Sequence, residues 1–405
     1  MLYTLIFRYT SVVNPARNPY SPGAGLRPRE LAGRESEIER FGFLTQRAAA
    51  SLVSKSVVMT GLRGVGKTVL LNELAGNARR SDWVVARVEA DASGKSAGLR
   101  AQVAHSLNRS LRELTGSSGM GEKLRRALAS FKAFSLTADP TGALSIGIDI
   151  DPARGRADTG ALDLDLEELV LDLAEAAQER GVGVVLFIDE LQDLTIADLA
   201  AVAQACHAAG QRGAQFYVVG AGLPSLPGLL AEAKSYSERL FDYWRIGALN
   251  MKAARSALVR PAEAENATWE DEAVNVVTKA SARYPYFLQE FASAAWDAAP
   301  GPAITAEDAL TAVHIGQVSL DRGFFTSRWE RATRAEREYM RAMAEDGSRP
   351  SQSGEIVRRL GRKSASSLGP TRAKLIHKGL VYAPDRGQVA FTVPGMAPFI
   401  RRHPD

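Results

Sequence analysis

The run Gly61-Leu62-Arg63-Gly64-Val65-Gly66-Lys67-Thr68 fits the pattern G-x-x-x-x-G-K-[ST] and constrains this chain more than any other feature. Before it, Ser56-Val57-Val58-Met59-Thr60 reads as a short buried strand. After it, the apolar spacing of Val69-Leu70-Leu71-Asn72-Glu73-Leu74-Ala75 reads as a helix. Strand, glycine loop and helix in that order imply a parallel α/β sheet with helices on both faces. The glycines let backbone N–H groups turn inward around a phosphate, and the helix N-terminus adds partial positive charge. The expected nucleotide-holding set is Gly61, Gly64, Val65, Gly66, Lys67, Thr68 and Val69. Lys67 would reach the β- and γ-phosphates of ATP, and the Thr68 hydroxyl would ligate Mg²⁺.

A second motif complements the first. Val182-Gly183-Val184-Val185-Leu186-Phe187-Ile188 is continuously apolar, as a central parallel strand should be, and it ends in Asp189-Glu190. Carboxylates at the carboxyl end of a parallel strand point toward the crevice where ligands bind. Asp189 is the expected Mg²⁺ ligand and Glu190 the base that polarises an attacking water. An ordinary strand end followed by an acidic helix start would read the same, and only the pairing with the glycine loop favours the chemical reading.

The 405 residues suffice for two or three domains. Cys206 is the only cysteine, so no intrachain disulfide can form, and a reducing, cytoplasmic setting is expected. The five histidines have no metal-ligand spacing, and no apolar stretch reaches the roughly 18 residues of a membrane span. Leu2–Phe7 is apolar but short, with neither a basic start nor a cleavage site. It is not read as a signal peptide, and an upstream-extended start explains it equally well. The net charge of +4 conceals an asymmetry. Residues 321–405 carry 17 Lys and Arg against 9 Asp and Glu, whereas the remainder carries 33 against 37. A basic C-terminal segment on an acidic body suggests a polyanion-binding module.

Along the chain, residues 1–30 read as an extended leader, 31–248 as the α/β core, 249–320 as a small helical lid and 321–405 as a separate C-terminal domain. In the core, strands are expected at Trp83–Val88 and Phe216–Gly220, with helices at Gly98–Leu114, Glu122–Ala129, Leu164–Gln178 and Ile196–Ala209. Phe134–Thr137 and Leu144–Ile148 flank the turn sequence Asp139-Pro140-Thr141-Gly142 and predict a β-hairpin, followed by a polar linker over Asp151–Gly160. The C-terminal order is a helix at Ala332–Ala344, a short helix at Ser353–Gly361, a basic helix starting near Gly369, and two strands around Asp385-Arg386-Gly387. That is the order of a winged helix-turn-helix. In a DNA-binding reading Thr371, Arg372, Lys374 and Lys378 face a groove or its phosphates and Arg386 tips the wing. In the alternative the domain contacts protein and its charges are merely solvated.

Together these residues resemble the AAA+ ATPases of the origin-recognition/archaeal-ATPase group and their bacterial relatives. The resemblance runs from about Asn18 to the C-terminus. It rests on Gly33-Arg34-Glu35 with Glu37, the glycine loop, Asp189-Glu190 with Gln192, and Tyr284-Pro285-Tyr286-Phe287 in the lid. It implies a three-layer P-loop core, lid and winged helix, with Gly33 and Arg34 near the adenine. It also makes Arg239 a candidate arginine finger toward a neighbouring subunit of a homo-oligomer; a surface arginine at a helix end is an equal reading. Two departures stand out. The fourth strand ends in Gly220-Ala221-Gly222 where a polar sensor is usual, with Ser225 the next side chain able to help. The lid's Arg283-Tyr284-Pro285 resembles the G-x-P element of STAND signalling ATPases, with Arg283 in the glycine position and Pro285 packed on nucleotide. Two functions follow: an ATP-dependent DNA-binding ATPase, or a signalling switch whose winged helix packs on ADP and binds protein, with turnover incidental. A small-molecule kinase would leave the basic tail unexplained.

Overall fold

The computed structural model describes residues 14–91, 98–115, 121–139 and 150–403. The chain divides into two compact units. One comprises Ser36–Leu62 and Lys67–Ile246; the other comprises the chain before Ser36, the four loop residues Arg63–Gly66, and everything from Gly247 onward.

The first unit is built around a five-stranded, wholly parallel sheet. Its elements are α1 (Glu35–Ala49), β1 (Ser56–Thr60), α2 (Lys67–Arg80), β2 (Val84–Glu89), α3 (Leu99–Thr115), α4 (Glu122–Ala138), α5 (Leu162–Gln178), β3 (Val184–Asp189), α6 (Ile196–Gln211), β4 (Phe216–Gly222), α7 (Leu226–Ala233), α8 (Ser237–Leu240) and β5 (Phe241–Arg245). The strand order is β2-β3-β4-β1-β5. Every residue of β1, β3 and β4 is buried, which is why these three read as unbroken apolar runs. Each Val, Ile or Phe so placed contributes about 1.5–3 kcal/mol of apolar burial. At the edge, β5 alternates buried Phe241 and Trp244 with more exposed Asp242, Tyr243 and Arg245. Its polar half hid it from the sequence reading.

The expected hairpin is corrected. Phe134–Thr137 is the last turn of α4, which runs to Ala138. Leu124, Ala127, Leu128, Phe131 and Phe134 recur every three or four residues and are all buried, so helical period overrides the β-propensity of a Phe-Ser-Leu-Thr run. The second half of that hairpin lies outside the described residues. The polar stretch at 151–160 is tied down rather than free. The buried Asp165 carboxylate accepts from the Thr159 N–H (2.9 Å) and hydroxyl (2.7 Å), the Gly160 N–H (3.0 Å) and the Arg100 guanidinium (2.6 Å). Burial works against that charge, and the bonds from Thr159 and Arg100 outweigh it, holding Asp165 below the usual carboxylate range.

The second unit opens with the leader. Its described part, from residue 14, is not a loose arm: Tyr20 is buried edge-on between Trp269 and Trp296, with its hydroxyl donating to the Leu258 carbonyl and accepting from Trp269 Nε1 at 2.8 Å. Arg17 and Arg29 both pair with Glu265. The elements of the expected lid follow: α9 (Met251–Glu263), β6 (Thr268–Trp269), α10 (Asp271–Ala280), α11 (Pro285–Ala298), β7 (Ala303–Ile304) and α12 (Ala306–Ser319), with β6 and β7 forming a two-residue parallel pair. A π-helical turn at Leu320–Phe325 leads into α13 (Thr326–Glu330).

The last segment comprises α14 (Arg334–Ala344), β8 (Ser351–Gln352), α15 (Ser353–Arg359), α16 (Gly369–His377), β9 (Val381–Tyr382), β10 (Gln388–Phe391) and α17 (Met396–Arg402). Its antiparallel sheet has the order β8-β10-β9, so the elements follow one another in the order expected of a winged helix-turn-helix. Helix α16 starts at Gly369 with Pro370 in its first turn, where a missing N–H costs nothing.

Candidate nucleotide site

The loop leaves the carboxyl end of β1, and Gly64 (φ +85°) and Gly66 (φ +90°) hold left-handed backbone that a side chain would strain. Helix α2 begins at Lys67. Lys67 is buried, and its ammonium donates to the Gly61 and Leu62 carbonyls, both at 2.9 Å. The charge is therefore already turned back over its own loop.

The middle of the loop belongs with the lid and the C-terminal segment. The Tyr286 N–H donates to the Gly64 carbonyl at 3.3 Å. A Cβ on Gly64 would lie 3.0 Å from the Tyr284 ring. The Arg63 N–H donates to the Thr392 carbonyl at 3.1 Å. The Arg63 guanidinium fills the space a side chain on Gly379 would need, 2.6 Å from that imagined Cβ. Arg34, expected near a base, is buried, with its guanidinium on the backbone carbonyls of Gly33, Val65 (3.0 Å) and Gly247 (2.7 Å). Arg328, stacked 3.8 Å over Phe324, is pushed down to about 10 by its burial and then by the charges of Arg63 and Arg331.

Asp189 is the last residue of β3 and is buried. Glu190 follows in a left-handed conformation (φ 48°, ψ 41°), which costs a non-glycine residue about 1–2 kcal/mol. Its N–H donates to Asp189 Oδ1 at 3.0 Å. Gln192 then reaches back, with Nε2 donating to Glu190 Oε2 at 2.6 Å while its Oε1 accepts from the Leu223 N–H at 2.9 Å. The loop after β1 and the acids after β3 share the carboxyl edge of one parallel sheet. Among the described residues no group of three His, Cys, Asp or Glu could hold an ion unaided. One hydroxyl, Thr68, and one carboxylate, Asp189, would supply hard-oxygen donors of the kind Mg²⁺ takes when it brings phosphate and water ligands with it.

Other expected residues are dispersed. Arg239 is exposed on α8, which runs directly into the amino end of β5, the opposite edge of the sheet from its own Asp189. Arg283 is exposed in the α10–α11 turn at φ +60°, after Ala282 at φ +48°, and Pro285 opens α11. The Arg283 backbone thus lies in the left-handed region that favours glycine. In the C-terminal segment Lys374 and Arg386 are exposed and Thr371 is half-buried. Two other basic residues are engaged internally: Lys378 pairs with Glu336 at 2.6 Å, and Arg372 donates to the Gln388 carbonyl at 3.2 Å. Sequence reasoning passed over Arg362 and Lys363, exposed in the turn between α15 and α16, although two adjacent cations after a helix-ending glycine were visible.

Residues 30–219 match the family described as the AAA ATPase domain. Over those residues the core resembles an AAA ATPase domain. Outside it, residues 322–400 match a domain of unknown function, DUF8462. No curated protein matches the chain. The Walker-type ATPase PABY2304 of Pyrococcus abyssi shares the fold over 93% of this chain and 97% of its own, at 14% identity and a TM-score of 0.58. The ORC1 protein of Aeropyrum pernix, in complex with DNA, aligns over 93% and 94% at 16% identity and 0.45. RuvB of Thermotoga maritima, a Holliday junction branch migration motor, aligns over 91% and 96% at 16% identity and 0.44. The glycine loop and the acids at the end of β3 thus stand inside the first match, while the basic α16 and its hairpin fall within the second.

Proposed function

We propose that this chain binds Mg-ATP, hydrolyses it to ADP and phosphate, and uses the nucleotide state to govern how its C-terminal domain holds duplex DNA. Gly64, Gly66 and Lys67 bind the phosphates. Thr68 and Asp189 would hold Mg²⁺, which when bound neutralises phosphate charge. Glu190 takes a proton from water as the water oxygen attacks the γ-phosphorus and the bond to the β-phosphate oxygen breaks. The division into leader, core, lid and winged helix, at residues 30, 248 and 320, is kept as the functional division.

The observation that carries the coupling is the Arg63 contact. Arg63, just before the second glycine of the phosphate loop, is bonded through its N–H to the Thr392 carbonyl and packed through its guanidinium on Gly379. A phosphate that reshapes this loop must act on those contacts. The test is binding of the purified full chain to random duplex DNA with ADP, ATP or no nucleotide across a salt series, together with hydrolysis by wild type and Glu190→Gln. The reading expects nucleotide-dependent DNA affinity and a loss of turnover of roughly 10²-fold in the variant. Absence of DNA binding at low salt in every nucleotide state sinks the DNA half. Turnover of Glu190→Gln at the wild-type rate sinks the catalytic half.

A second reading, a STAND-type switch acting on a protein partner, is favoured by the glycine-like backbone of Arg283 ahead of Pro285 and by the internal use of Arg372 and Lys378. Tight ADP retention without DNA binding is its signature.

A further inference from the structure

The carboxyl end of β4 lacks a polar side chain: the strand closes on Gly220-Ala221-Gly222. Its place is not left apolar. The Gln192 amide, delivered from the short 3-10 turn Leu191–Asp193 after β3, lies against that end. A Cβ on Gly222 would come 2.5 Å from Gln192 Oε1 and 2.9 Å from the Leu226 side chain. Glycine here makes room for the amide rather than for an unusual backbone angle.

The orientation of the amide follows from its partners. The Leu223 N–H can only donate, so it takes the oxygen, at 2.9 Å. The NH₂ group then faces carboxylates alone: Glu190 Oε2 at 2.6 Å and Asp193 Oδ1 at 3.2 Å. Glu190 is otherwise a side chain on a strained, left-handed residue with intermediate exposure. One short hydrogen bond to an amide that is itself anchored on the next strand limits where its carboxylate can swing.

We infer that Gln192 is a positioning residue for Glu190, standing in from the β3 side for the polar residue that β4 lacks. The inference rests on the ATPase reading given above. Gln192 does not take the proton; it holds the carboxylate that does, with the Leu223 N–H as its fixed point. This also assigns a role to Gly222, whose missing side chain keeps the amide in place.

The test uses the full-length protein, with Mg-ATP affinity read from a fluorescent ATP analogue and hydrolysis from single turnovers. Gln192→Ala removes both hydrogen bonds. Gln192→Glu keeps an oxygen for Leu223 but sets a carboxylate oxygen against Glu190 and Asp193 in place of the NH₂ group, so it replaces the positioning bond by repulsion. Both should bind Mg-ATP within about twofold of wild type and hydrolyse it at least about tenfold more slowly. Neither should slow Glu190→Gln further, because the two residues act as one unit. Gly222→Ala should slow hydrolysis through the displaced amide and add nothing to Gln192→Ala. Wild-type turnover in both Gln192 variants overturns the inference while leaving the ATPase reading intact. So does a faster rate, which would make Gln192 a brake, or an affinity loss as large as the rate loss, which would make it structural. A wild type without turnover, or Glu190→Gln turning over normally, overturns the ATPase reading and the inference together.

Discussion

In the proposed nucleotide site, Lys67 would be prepared for its ligand before the ligand arrives. Its ammonium is buried on two carbonyls of its own loop, so the charge is held where phosphate oxygens would meet it. Lys67→Ala removes that point charge and leaves both carbonyls without the donor. ATP affinity should fall by about 30-fold or more, the scale of a charge-assisted hydrogen bond or two. Calorimetric titration of the folded variant with Mg-ATP checks this, and unchanged affinity defeats the assignment of the loop. Arg283 offers a different separation. Its φ of +60° costs an arginine about 1 kcal/mol that glycine does not incur. Arg283→Gly should hold or raise the thermal midpoint, and any loss of ATP affinity then measures what the exposed guanidinium gives to nucleotide. The loop and the acid pair were legible because phosphate chemistry fixes residue types at fixed spacing. Arg34's bonds to the Val65 and Gly247 carbonyls and Gln192's bridge to the Leu223 N–H were not, since those backbone atoms lie far away in sequence.

Among the elements, periodicity decided what could be read. The three central strands were visible as apolar runs because both their faces are covered. The edge strand β5 was missed because half of it is polar. Helix α4 was cut short because a β-prone tetrapeptide masked the heptad-like spacing that continues through Phe134. In the C-terminal segment, α15 is fastened to the end of α14 by a forked pair in which Arg359 donates to both Asp346 oxygens at 2.6 and 2.7 Å. That guanidinium holds the Asp346 carboxyl down at about 2, from an ordinary 3.8. A depressed folded-state value means stability present in full above about pH 4 and lost as pH falls through about 2. For this partly solvated pair the contribution is on the order of 1–2 kcal/mol. Thermal unfolding of wild type and Asp346→Asn between pH 5 and pH 2 should therefore converge at the acid end. Parallel curves across that range would show that the fork contributes nothing.

For the molecule as a whole, charge is distributed by segment: residues 321–405 are strongly basic and the rest is slightly acidic. With Lys378 and Arg372 engaged internally, the exposed Lys374 and Arg386 are the expected phosphate contacts. Each phosphate neutralised contributes about −0.9 to the slope of log K against log salt. The double change of Lys374 and Arg386 to Ala should flatten that slope by about two, weaken binding on all sequences alike, and leave ATP affinity untouched. An unchanged slope would move the DNA-facing surface elsewhere, with Arg362 and Lys363 next to be replaced. The leader's Tyr20, wedged against Trp269 and Trp296, has a practical consequence of another kind. Of the five tryptophans, Trp83 and Trp244 belong to the sheet-bearing unit and Trp269, Trp296 and Trp329 to the other. Peeling residues 14–30 away would wet two indoles and redden their emission while Trp83 and Trp244 kept theirs, so the protein carries its own optical label for the docking of that segment.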